Sequence, residues 1–350
     1  MIADIIPKIA GMGNDEHEYY PRPSMAGPER CIRSMVYHGL KVPRSPMPGR
    51  AILIFDDSSW HEELTADWIR KSAYQLHSVQ MEVTIPGKMT LTGHIDGIIT
   101  DLTGKDYLIE HKAINHFTVQ KYWAGEVPLD YLTQTCLYAK GLQQVNPDIN
   151  EALLLIKNKN TAQYMEFRIV YEADTAKIIE RCHSTGERIP MDYKLEHITE
   201  SAFQKFADVQ DYIEKKTLPK RQYDIDTWRC EYCGWYQECW KNYQEEFETL
   251  STQGMLDNEA ADAVRYYKEL AAQETDIKKE KEKMKEIVKS AMKEIEAREA
   301  TAGEYICKLT LAEREKLDKA LIPYEILEKA TTKSITERFT VSRVKGGKAA

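Results

Sequence analysis

Three side chains have the types and spacing for chemistry. Asp96 lies in Gly93-His94-Ile95-Asp96-Gly97, and Glu110 and Lys112 lie in Leu108-Ile109-Glu110-His111-Lys112. Residues i and i+2 of a strand share a face, so Glu110 and Lys112 point one way and the His111 side chain the other. Segments 79–85, 89–100 and 107–112 read as strands, with turn residues Pro86-Gly87-Lys88 and Leu102-Thr103-Gly104-Lys105 between them. Such a meander sets Asp96 beside Glu110. Two carboxylates and a lysine at one point suit Mg²⁺ or Mn²⁺. A metal held there can activate water and polarise a phosphodiester, while the lysine orients the nucleophile or stabilises developing charge. Without Asp96, Glu-x-Lys would read as an ion pair on a half-buried sheet face.

The cysteines form a second constellation. Cys230, Cys233 and Cys239 have the spacing C-x₂-C-x₅-C, and no His or Cys follows at the short spacing of a zinc finger. The fourth thiolate candidate is Cys31, far upstream. All-thiolate sets hold iron–sulfur clusters or zinc, and spacing alone leaves both open. Cys136, Cys182 and Cys307 read as ordinary structural thiols.

The elements that must position these residues follow from periodicity. Residues 31–40 and 57–77 read as helices, the second with Leu64, Trp68, Ile69 and Leu76 near a 3.6 period and Asp57 or Ser58 as N-cap. Residues 129–142 read as a helix, 151–157 and 164–171 as paired strands, and 173–182 and 200–216 as helices; residues 1–30 show no period. The order predicts an α/β fold with a sheet covered by helices. Residues 257–300 contain no Pro or Gly and predict one long helix with a narrow stripe through Ala263, Leu270, Ile277, Met284 and Ala291. A strand is expected at Tyr305, Cys307, Leu309 and Leu311, and another is hinted at by Phe339 and Val341.

The 350 residues carry a net charge of −8, so nucleic acid would need a local basic patch. One candidate is residues 329–350, with six basic side chains against one acidic. No apolar run reaches the ~18 residues of a membrane span, and the first residues lack a secretory signal, so a cytoplasmic protein is expected, with no membrane contact.

The combined pattern resembles the PD-(D/E)xK nuclease superfamily, and within it the RecB-like group: Gly-x-x-Asp, a hairpin, Glu-x-Lys, then Gln-x-x-x-Tyr on the next helix. Here these are Gly93/Asp96, Glu110/Lys112 and Gln134/Tyr138. The resemblance spans roughly residues 20–245. It implies a restriction-endonuclease-like core, a central mixed sheet flanked by helices, with a long-helix extension at the C-terminal end. It implies a metal-dependent DNA exonuclease. Asp96, Glu110, the backbone carbonyl of His111 and His61 would hold Mg²⁺ or Mn²⁺, with Glu62 as the alternative to His61. Lys112 would position or activate the attacking water, and Gln134 and Tyr138 would hold the DNA strand. Cys31 with Cys230, Cys233 and Cys239 resembles the iron–sulfur members, the CRISPR-adaptation nuclease and the AddB nuclease domain, which implies a [4Fe-4S] cluster. The chain continues for 111 residues past Cys239. In this it resembles phage recombination exonucleases of the YqaJ or lambda type, which implies DNA and either a single-strand annealing protein or further copies of the chain as partners. The expected domains are 1–250 for the nuclease core, 251–300 for the long helix and 301–350 for a small strand and helix extension with a basic tail. A DNA-trimming nuclease of CRISPR adaptation and a non-catalytic DNA-binding scaffold are the alternative readings.

Overall fold

Alternating apolar residues bounded by turns build a seven-stranded sheet from residues 75–196. The computed structural model describes residues 2–11, 18–250, 255–303 and 305–311. The chain divides into two units, residues 1–240 and 241–350.

In the first unit, α1 (Ile2–Ala10), α2 (Ile32–Gly39) and α3 (Gly49–Arg70) precede β1 (Gln75–His77), β2 (Glu82–Ile85), β3 (Leu91–His94), β4 (Gly97–Thr100) and β5 (Asp106–Ile114). Next come α4 (His116–Trp123), α5 (Leu129–Leu142), β6 (Glu151–Asn158), β7 (Tyr164–Glu172), β8 (Thr175–His183), β9 (Arg188–Glu196) and α6 (Ile198–Glu214). Two short helices, α7 (Trp228–Glu231) and α8 (Tyr236–Trp240), close the unit.

The sheet order is β1-β4-β5-β6-β7-β8-β9, and β2 and β3 form a separate hairpin. Only β5 and β6 run parallel, joined by a crossover through α4 and α5; the other pairs are antiparallel. This is a mixed α/β protein with a central mixed sheet flanked by helices. One face of the sheet is the core: Leu108, Leu154, Ile156 and Phe167 pack with Leu132 and Leu137 of α5 and Phe203 and Phe206 of α6, all fully buried. Burying large side chains at this density is the main source of stability. The alternate residues of β6, Leu153 and Leu155, are only half-buried on the opposite face.

Several elements differ from the sequence reading. Residues 2–10 are helical. Helix α3 starts eight residues before Asp57, at Gly49, and Leu64 and Trp68 are exposed on it instead of facing the core. The predicted helix at 173–182 is the strand β8, which β9 extends. The cause is the turn: Ala173 and Asp174 both take left-handed φ, 46° and 59°, and the chain reverses in two residues. Such hairpin turns usually announce themselves with Asn-Gly or Gly, and alanine hides the signal.

The second unit contains α9 (Tyr243–Glu248), the 37-residue α10 (Asn258–Glu294) and the hairpin β10 (Glu299–Ala302) with β11 (Tyr305–Lys308). The Asp257 side chain caps α10 by accepting from the Ala260 N–H at 2.8 Å. Pairs such as Glu274–Lys278 at 2.6 Å lace its surface. Leu270, Ile277 and Met284 are exposed along the expected stripe. The basic residues of 329–350 and the strand expected at Phe339 and Val341 lie outside the described residues. No helix among the described residues is long and apolar enough to cross a membrane.

Candidate active site

Strand β5 carries Glu110 and Lys112 on its core-side face, and their side chains form an ion pair. Strand β4 begins only at Gly97, opposite Ile109, so the ladder leaves the His111 amide free for a side chain. Asp96 takes that place: its Oδ2 accepts from the His111 N–H at 2.6 Å. The three residues that sequence spacing grouped therefore meet.

Glu110 is fully buried, and its Oε2 has no hydrogen-bond partner. Burial, then the charge of Asp96, push its carboxyl up to about 8 despite the pull of Lys112. Asp96 is also raised, by burial, against the opposing effects of Lys112 and the His111 amide. Burial works against the charge of Lys112, but attraction to Glu110 and Asp96 outweighs it and raises its pKa. Two carboxylates around one lysine, with a buried oxygen left over, make a site short of positive charge.

Helix α3 adds Glu62. Its Oε1 accepts from Gln80 Nε2 at 3.0 Å, and burial followed by the Asp96 charge raises its carboxyl. His61, the next residue back, turns elsewhere. Its Nε2 lies 3.7 Å from Asp57, and burial, then Lys157, lower its pKa. Successive helical residues are rotated by about 100°, so only one of the two can face Asp96. Of the two, Glu62 is the one on which the Asp96 charge acts, while His61 is drawn to Asp57. The His111 side chain lies under α3: its ring Nε2 lies 3.1 Å from Thr65 Oγ1, which is 3.0 Å from the Tyr164 hydroxyl. Burial first, then Lys112 and Lys157, hold its pKa down to about 3.

Helix α5 forms the other wall. Gln134 and Tyr138 are both buried and hydrogen-bonded to each other, and burial followed by the Glu110 charge raises the Tyr138 phenol. Gly93 is fixed by this contact, because a Cβ there would lie 2.7 Å from the Tyr138 ring and 3.1 Å from its hydroxyl. Tyr131, one turn before Gln134, lies under Lys112, whose Nζ is 5.7 Å from the ring centroid. Sequence reading passed over Tyr131, although its i−3 spacing from Gln134 was the available signal.

The four cysteines lie where the two ends of the first unit meet. Cys31 is the N-cap residue of α2, Cys230 lies in α7 and Cys239 in α8, with Cys233 between these helices. Hydrogen bonds clamp the segments together: Tyr223 Oη donates to Glu29 O at 2.6 Å, Trp235 Nε1 to Val42 O at 3.0 Å and the Ser45 N–H to Gly234 O at 2.8 Å. Burial, then a hydrogen bond from Trp235 that opposes it, act on Cys233, and the charges of Cys31, Cys230 and Cys239 raise its thiol further. Cys230 is likewise raised, first by burial and also by Cys31 and Cys239. The four sulfurs are thus electrostatic neighbours. Among the described residues no three of them lie within 4.8 Å of one another. A closed zinc tetrahedron, with Zn–S near 2.3 Å, would need sulfurs about 3.8 Å apart.

One group of ligating side chains does lie within 4.8 Å of one another: Asp174, His197 and Glu200. Asp174 is already used as a cap for α6, accepting from the Thr199 N–H at 3.0 Å and the Glu200 N–H at 3.1 Å.

No protein-family profile matches the chain, and no curated protein does. Among solved structures, the crystal structure of SSO0001 resembles it with a TM-score of 0.35 and 15% identity, over 67% of this chain and 94% of that one.

Proposed function

We propose that the protein is a metal-dependent deoxyribonuclease of the PD-(D/E)xK, RecB-like kind, acting as an exonuclease in phage-type DNA recombination or processing. The observation that carries this reading is the buried, partnerless Glu110 Oε2 beside Asp96. An uncompensated buried carboxylate oxygen is costly unless a cation meets it. Among the described residues, Glu110 Oε2 is the one buried carboxylate oxygen without a partner.

Asp96, Glu110, Glu62 and the backbone carbonyl of His111 would hold Mg²⁺ or Mn²⁺. The ion, when bound, supplies Lewis-acid charge to a phosphodiester and its attacking water. Lys112 stays protonated, held so by the two carboxylates, and its Nζ can turn from Glu110 to the nucleophile or a phosphate oxygen. Tyr131 covers one side of the lysine, and Gln134 holds Tyr138 by a hydrogen bond, where the pair would contact the DNA strand.

The four thiols are electrostatic neighbours, and their spacing, which resembles that of the iron–sulfur nucleases, favours a [4Fe-4S] cluster over zinc. A cluster there would reinforce the hydrogen bonds that tie residues 29–45 to 219–240. The exposed stripe of α10 is the surface offered to an annealing protein or to another copy.

The test is to give oxygen-free protein Mn²⁺ and equal amounts of linear and covalently closed circular duplex DNA. An exonuclease consumes the linear form to mononucleotides and spares the circle. Cutting of the circle would replace exonuclease by endonuclease, and survival of both forms would overturn the reading.

A further inference from the structure

We propose that the groove between α3 and strands β6 and β7 binds single-stranded DNA, with Lys157 taking a backbone phosphate and Trp68 stacking a base. The ligand class rests on the nuclease reading; the existence of a site does not.

The groove has a volume of about 540 Å³ and is lined by Leu64, Trp68, Ile69, Leu155 and Tyr164, with Lys157 among them. Lys157 is 4% exposed, yet it makes no hydrogen bond or ion pair with any described residue. Its Nζ lies 5.6 Å from the centroid of the Tyr164 ring, and its charge also acts on the imidazoles of His61 and His111. Arg181, which is comparably buried, at least donates from one guanidinium nitrogen to the Tyr122 carbonyl. The side chain is packed away while its ammonium opens on the groove without a counter-ion, and an anion entering there would supply one.

The walls say which anion. Trp68 is 61% exposed and Leu64 47% exposed, so a flat apolar surface stands open beside a single positive charge. Lys71 Nζ lies 4.6 Å from the centroid of the Trp68 ring and adds a second cation at the rim. One negative charge and one flat ring per repeat is the chemistry of a nucleotide strand, and sequence-independent single-strand sites combine a basic track with exposed aromatic rings in this way. The groove and the proposed metal site share α3 and the His111 residue. Thr65 lines it, holds the His111 ring, and stands one turn from Glu62 on α3; the His111 amide holds Asp96.

The experiment is binding of fluorescein-labelled dT₁₅ to the full-length protein in EDTA, by anisotropy, between 50 and 200 mM salt, for wild type, Trp68→Ala, Lys157→Gln and a control, Phe117→Ala, which truncates an exposed ring elsewhere. Trp68→Ala should weaken binding by about tenfold. Lys157→Gln should lower the slope of log affinity against log salt by about 0.7, and Phe117→Ala should change neither. Trp68 is a surface residue, so its variant remains decisive if Lys157→Gln fails to fold. If Trp68→Ala binds dT₁₅ as wild type does, the proposal is overturned. Cleavage is read separately: a wild type that binds dT₁₅ through Trp68 but never cuts DNA with Mn²⁺ sinks the nuclease reading and keeps the groove. A wild type that cuts while Trp68→Ala binds normally sinks the groove alone.

Discussion

Asp96 is tied to the strand that carries its partners: its Oδ2 accepts from the backbone N–H of His111, at 2.6 Å, between Glu110 and Lys112. This bond uses the ladder position left open because β4 begins only at Gly97. It fixes the Asp96 carboxylate relative to Glu110 through backbone, not through flexible side chains. A site so held needs little reorganisation when charge develops on a substrate.

Glu110→Ala and Lys112→Ala should each lower Mn²⁺-dependent DNA cleavage by about 10³-fold or more, since both act chiefly on the transition state. Circular dichroism should show the fold retained. Glu110→Gln should remove the Glu110 share of any pH dependence of metal-free stability between about pH 5 and 8, because an amide does not titrate there. Thermal melts in EDTA check this.

The pH dependence has a definite sign. Glu110 titrates near 8 in the fold against an ordinary value of 4.5, so folding takes up a proton between these limits. The metal-free protein should therefore lose stability as pH rises from about 5 to 8. Mn²⁺ must displace that proton, so its affinity should rise by up to about tenfold per pH unit over the same range and level off above it. Mn²⁺ titrations followed by electron paramagnetic resonance at pH 6, 7 and 8 measure it. An affinity independent of pH would contradict the assignment.

The two adjacent α3 residues separate cleanly. Glu62→Ala should weaken Mn²⁺ binding about 10- to 100-fold, while His61→Ala should change it less than threefold. The reverse order would restore His61 as ligand.

Much of this site was legible because it rests on short-range rules. The period-2 strand put Glu110 and Lys112 on one face, and i,i+4 spacing put Gln134 and Tyr138 together. What the sequence hid depends on rotation and context. Whether His61 or Glu62 faces Asp96 is set by how α3 is turned against β5. Periodicity could not give that, because two of its apolar positions, Leu64 and Trp68, are exposed. β8 was read as a helix because Ala173 and Asp174 carry a left-handed turn without glycine. Lys157 looked like the end of a buried strand, and only the fold shows its ammonium unpaired in a groove.

Cys233→Ser should abolish visible iron–sulfur absorption and lower stability by about 2–5 kcal/mol, by analogy with cross-links that close long loops. Metal analysis of oxygen-free protein decides the cofactor. Zinc without iron would contradict the cluster and leave the Asp96–Glu110 site untouched.

A chain ending at Leu250 should keep its metal sites and trim short DNA, since every proposed ligand lies in the first unit. It should lose processivity, self-assembly or partner binding. Gel-filtration and degradation of long DNA compare the two forms, and identical behaviour would deny α10 any such role.

The central claim is that Glu110 holds a catalytic divalent ion. Its most direct test is the rate of mononucleotide release from end-labelled linear DNA, measured with Mn²⁺ and with EDTA, for wild type and Glu110→Ala in parallel. Release by wild type with Mn²⁺, none in EDTA, and at least a thousandfold less by Glu110→Ala is the predicted result. Equal release by wild type and Glu110→Ala, or release by wild type that persists in EDTA, would contradict it.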